Sequence, residues 1–158
     1  MRLSFVARQL GFAGVLLGMT AAGSPPSAYA QEVYSPNGFP LEDQRLGCGM
    51  SSIYVIPDLE KLVGAAPNGD IYFRSDIWIY APYFIGVLFA RECAHRFGVR
   101  GEIALDEWAV CRGKEEGWLD AEGAQALCLV RAPSPAQLGA RRPWSSRCAA
   151  MISAFERC

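Results

Sequence analysis

The residues predict an α+β domain: a small sheet formed early in the chain, helices after it, and disulfides stapling the two together. Three observations lead there. Short β-branched and aromatic runs, Ser52–Ile56 and Ile71–Phe73, lie in the first half of the chain. Apolar residues at helical spacing dominate from Ala81 onward. Six cysteines, Cys48, Cys93, Cys111, Cys128, Cys148 and Cys158, make an even set, which in an exported chain favours disulfides over metal ligation. They lack the close Cys-x-x-Cys pairs of a structural zinc site. Six cysteines admit about fifteen full pairings, so composition leaves connectivity open.

Export is read from the first thirty residues. Arg2 and Arg8 precede an apolar run, Leu10 to Ala22, and Ser24-Pro25-Pro26-Ser27 then breaks any helix. Ala28-Tyr29-Ala30 fits the small-x-small pattern of secretory cleavage. The run is short and Gly-rich for a permanent membrane span. Residues 1–30 are therefore expected to be a signal peptide, with no stable membrane span after its removal and a periplasmic or secreted product. Of 15 Lys and Arg and 16 Asp and Glu, two Arg and no acid fall in 1–30. That leaves 13 bases against 16 acids, a net charge near −3. With no basic stripe, nucleic acid is excluded as a partner.

Residues 31–47 are polar, carry Pro36, Asn37, Gly38 and Pro40, and read as a flexible lead-in to one domain over 48–158. Ser52-Ile53-Tyr54-Val55-Ile56 reads as a strand closed by Pro57. Asp58 is placed to cap a short helix through Leu62. Ala66-Pro67-Asn68-Gly69-Asp70 is a turn by composition, and Ile71-Tyr72-Phe73 a second strand. A helix spans about Ala81 to Gly98, with Pro82 suited to its first turn and Gly98 to its end. A second is expected over about Glu102–Gly113, a third over Asp120–Val130 with Asp120 as N-cap, and a last from Pro143 or Trp144 to Phe155. The aromatic group Trp78, Tyr80, Tyr83, Phe84 and Phe89 reads mainly as core. Part of it is a candidate peptide-binding surface, as is the edge of strand Ser52–Ile56. Arg141, Arg142 and Arg147 read as a solvated face.

In the first helix Phe84, Val87, Leu88, Arg91, Glu92 and His95 share one face. Three ionisable groups thus continue an apolar stripe. Their burial is costly unless they pair with one another or with a cation. His95 is the only histidine of the chain.

The run Phe89-Ala90-Arg91-Glu92-Cys93-Ala94-His95-Arg96-Phe97-Gly98 resembles the active-site helix of small exported gluzincin-type zinc metallopeptidases, whose motif is His-Glu-x-x-His. Glu102-Ile103-Ala104-Leu105-Asp106-Glu107-Trp108-Ala109 resembles their Glu-x-x-Ala-Asp-x-x-Ala segment. Similarity extends to Ile53-Tyr54-Val55 and to Arg147, Ile152 and Cys158. The resemblance implies a minimal zincin-like fold over 48–158, with the small sheet packed on the active-site helix. It implies Glu92 as the general base acting on zinc-bound water, His95 and Glu102 as zinc ligands, and Asp106 as the carboxylate orienting a ligand. Arg91 stands where the first ligand histidine belongs, and a guanidinium offers only donors. Arg96 and Arg100-Gly101 also replace family histidines, and only six residues separate His95 from Glu102.

These residues support a catalytically impaired, metallopeptidase-like protein without a cofactor, acting by binding a protein or peptide in the old cleft. Two alternatives stand beside it. One is an active zinc metallopeptidase with an atypical ligand set that recruits Asp106 or Glu107. The other is a structural envelope or accessory protein whose Arg-Glu-His cluster is only salt-bridged. Zinc is the cofactor if the site is functional. Among the cysteines, a Cys93–Cys111 bridge joining the two motif helices is the first expectation, with Cys148 and Cys158 each paired to Cys48 or Cys128.

Overall fold

The computed structural model describes residues 31–158, so the proposed signal peptide lies outside the described residues. Six strands precede four helices: β1 (Glu32–Tyr34), β2 (Phe39–Leu41), β3 (Gln44–Leu46), β4 (Ile53–Ile56), β5 (Val63–Ala65), β6 (Ile71–Arg74), then α1 (Pro82–Arg96), α2 (Glu102–Glu116), α3 (Ala121–Ala126) and α4 (Trp144–Arg157). The fold is α+β, with small sheets and three disulfides.

The main sheet runs β1-β4-β6-β5. Its central pair β4 and β6 is parallel, in register from Ile53 opposite Ile71 to Ile56 opposite Arg74. Both outer strands are antiparallel to their neighbours. Side chains alternate across a strand, so Ile53, Val55, Ile71 and Phe73 are buried on one face. Tyr54 and Tyr72 stack on the other, ring centroids 5.0 Å apart. The β-branched runs had identified β4 and β6. They do not identify β5, Val63-Gly64-Ala65, and the helix expected over 58–62 is instead turn and bend leading into it. Leu62 explains the difference. It is fully buried, its N–H donates to Gln137 O at 2.9 Å, and its carbonyl accepts from Arg74 at 2.9 Å. Long-range pairing fixes this segment, overriding local propensity.

Residues 31–47 are not a flexible lead-in. They supply β1 to the main sheet and the β2–β3 hairpin. Phe39 is fully buried and its ring stacks on Phe73 and Phe89, at 4.9 and 5.4 Å between centroids. Pro36 and Gly38 make a tight turn here, with Gly38 N–H donating to Ser35 O, so turn chemistry and order coexist.

Helix α1 is the spine. Every residue from Phe84 to Ala94 is buried, so it is apolar all round rather than one-sided. Helix α2 packs on it through a narrow place. A Cβ on Gly86 would lie 2.6 Å from the Trp118 ring, and one on Gly113 2.7 Å from it. Gly117, at φ +77°, ends α2 in the left-handed conformation that glycine tolerates best. Helix α3 is shorter than expected. Asp120 caps it by accepting from Gly123 N–H at 2.7 Å, but it ends at Ala126, because Leu127 O is taken by Trp144 Nε1 at 2.6 Å and Cys128 is held by a disulfide.

The disulfides are Cys48–Cys93, Cys111–Cys158 and Cys128–Cys148. The expected Cys93–Cys111 bridge does not form. Cys93 instead ties α1 to the segment after β3, and Cys111 ties α2 to the end of α4. Of the pairings expected for the last two cysteines, Cys128–Cys148 is present, while Cys158 takes neither Cys48 nor Cys128. Buried side chains join α1 and α2 without a covalent link. No helix among the described residues is long and apolar enough to cross a membrane. Three disulfides fit an exported protein.

Candidate functional site

The centre of the site is Asp106, fully buried on α2. Arginines from two other helices converge on it. Arg147 of α4, itself 0% exposed, donates through Nε to Oδ2 at 2.7 Å and through Nη2 to Oδ1. Arg91 of α1, 3% exposed, brings its Nε to 2.7 Å from the same Oδ1. That N–H is poorly aligned with the oxygen. Arg91 Nε and Nη1, and Arg147 Nη1, have no hydrogen-bond partner among the described residues. Arg147 also lies over the Trp144 ring, 5.2 Å from its centroid.

Two buried guanidiniums thus share one carboxylate. Burial pulls the Arg91 pKa down, the nearby Arg147 charge adds to this, and Asp106 opposes both. Asp106 is therefore not free to orient a ligand histidine, the role the resemblance implied for it. Nor is Arg147 on a solvated face. The sequence did hold the signal: Trp144, Arg147, Cys148, Met151, Ala154 and Phe155 share the buried side of α4. An arginine on an apolar stripe needs a buried anion, as Arg91 does.

Glu102 opens α2. Its carboxylate accepts the backbone N–H groups of Arg141 and, at 3.2 Å, Arg142. Partial burial pushes its pKa up, but those two N–H bonds and the charges of Arg147 and Arg91 outweigh it and leave the pKa lowered. Glu102 thus anchors the loop before α4.

Glu92 and His95 remain at a cleft of about 660 Å³ between α1, β5 and the loop around Gly139. Glu92 is buried. Burial pushes its carboxyl above the usual range, against the pull of Arg91 and Lys61. His95 lies at the exposed end of α1, and its pKa is lowered by partial desolvation and by the charges of Arg91 and Arg100. Arg100 Nη1 donates to the carbonyls of His95 and Val99 at 3.0 Å. Arg96 Nη1 donates to Ser51 Oγ at 3.2 Å. Strand β4 lies inside the sheet, so it offers no edge to a peptide. Strand β5 is one of the two outer strands and lines the cleft.

The residues do not fit a zinc ion. No three His, Cys, Asp or Glu side chains among the described residues gather as metal ligands, and all six cysteines are oxidised. Arg91 puts a cation at the position for which the resemblance implies a ligand, Asp106 is ion-paired, and Glu102 is engaged elsewhere. Glu107 pairs with Arg157 at 3.0 Å. What the arrangement offers is a walled cleft with an open sheet edge on one side and charged groups from one helix on the other. Comparison with protein-family models, with curated proteins and with solved structures finds no match to this chain.

Proposed function

We propose that this protein is an exported, metallopeptidase-like domain that no longer hydrolyses peptides and instead binds an extended peptide segment in the cleft beside β5. The observation that carries this reading is the Arg91–Asp106–Arg147 cluster. A cation from α1 occupies the place of a first metal ligand, and the carboxylate that would support a ligand is consumed as its counter-ion. The α+β fold, with α1 and β5 beside a cleft whose described residues gather no metal-ligand set, is compatible with this reading. An outer strand beside a cleft suits main-chain pairing with an added strand.

The test has two parts, both on the oxidised protein. Elemental analysis is expected to give zinc well below one per chain. Hydrogen exchange in a saturating pool of random decapeptides is expected to slow at the Val63–Ala65 amides. Stoichiometric zinc with peptide cleavage would replace this reading with an active metallopeptidase using an atypical ligand set. Unchanged exchange at β5 would leave a structural accessory role.

A further inference from the structure

The side chains that line the cleft carry more positive than negative charge. Lys61, Arg91, Arg96 and Arg100 line it, and Glu92 is the single carboxylate among the lining residues. The cleft is therefore positive even with Glu92 ionised and His95 neutral, although the chain as a whole is slightly acidic. This polarity does not come from composition. It is concentrated by the fold, which turns the C-terminal half of α1 and the loop before β5 toward one space.

Beneath the cleft the charge is unbalanced. Arg91 and Arg147 face one buried carboxylate, and Arg91 Nε and Nη1 lack an acceptor among the described residues. An uncompensated buried charge is expensive, and a fixed anion nearby lowers that cost. Glu92 is the nearest internal candidate, but it is itself poorly solvated. Glu102 contributes from a distance while held by Arg141 and Arg142. An incoming carboxylate at the cleft floor would meet the field of Arg91 from below and the exposed side chains of Lys61 and Arg100 from the rim.

We infer that the cleft selects acidic peptides, with a Glu or Asp side chain seated between Lys61, Arg100 and the Arg91 end of α1. This rests on the peptide-binding reading above and names the chemistry of its ligand. Lys61 and Arg100 are both exposed and lie outside the buried cluster, so neutralising them leaves the core intact.

The experiment uses two pools of fluorescein-labelled random decapeptides with amidated C-termini. One central position is fixed as Glu in the first pool and Gln in the second. Binding to the oxidised protein is read by fluorescence anisotropy, with the Lys61→Gln, Arg100→Gln double variant beside it and near-ultraviolet circular dichroism verifying its fold. The Glu pool is expected to bind about tenfold more tightly. That preference is expected to shrink between salt on the order of 0.05 M and 0.5 M, and to vanish in the double variant. Equal binding of both pools, unchanged in the variant, overturns acidic selection and leaves peptide binding standing. No binding of either pool overturns both.

Discussion

At the scale of single residues, one buried arginine on α1 organises the charges around it. Arg91 brings a permanent cation into the core, and Asp106 becomes indispensable because two guanidiniums depend on it. Asp106→Asn should cost about 3–5 kcal/mol of unfolding free energy, since it strands two buried cations. Arg91→Met should cost distinctly less, because the two-pronged Arg147–Asp106 pair survives and a poorly satisfied guanidinium is removed. Urea unfolding of the two variants separates them, and equal losses would contradict the charge imbalance. Glu92 gives a pH signature. Its folded pKa lies above the ordinary 4.5, so between the unfolded and folded values the native state holds the extra proton. Its contribution is fully present below the unfolded value and is lost as pH rises through the folded one. The stability difference between the unmodified protein and Glu92→Gln should therefore move against the unmodified protein as pH climbs out of the carboxylate range. Denaturation across pH reads this, and a flat difference would contradict it. Much of this was legible in the stripe that places Arg91, Glu92 and His95 on one face. The role of Arg147 was missed because its partner lies 41 residues away.

At the scale of elements, legibility followed how local the determining signal was. The start of α1 is set by Pro82 and the start of α2 follows Gly101, so both ends could be read. β5 could not, because Val63-Gly64-Ala65 is a strand only through its partner β6. The lead-in was misread for the opposite reason. The turn at Pro36–Gly38 is real, but Phe39, Leu41 and Leu46 after it are core. The contact of α1 with α2 carries its own prediction. Gly86→Ala would raise helix propensity by about 1 kcal/mol, yet its Cβ would meet the Trp118 ring at 2.6 Å. Overpacking costs about 1–3 kcal/mol, so the clash should prevail and the melting temperature should fall. Calorimetry decides the sign, and a rise would mean that Trp118 yields freely.

At the scale of the whole molecule, three cross-links span 45, 47 and 20 residues. Loops of these lengths correspond to about 3–4 kcal/mol each in the chain-entropy account. Their number was implied by the cysteine count, but their pairing was not. It depends on how α2 and α4 pack together, with Cys111 and Cys158 brought to 5.6 Å between Cα atoms. The same connectivity bears on how the protein is made. In chain order the cysteines pair first with second, third with sixth, and fourth with fifth. An oxidant that joins thiols as they arrive would obtain Cys48–Cys93 correctly, then tend to close Cys111 onto Cys128 and Cys148 onto Cys158. Reaching the nested native pair requires those early bonds to be reopened by thiolate attack. Air oxidation of the reduced chain should therefore accumulate scrambled isomers, separable by reversed-phase chromatography, and a glutathione redox pair or a disulfide isomerase should convert them to one species. Maturation of this small domain is governed by the order in which its sulfurs meet.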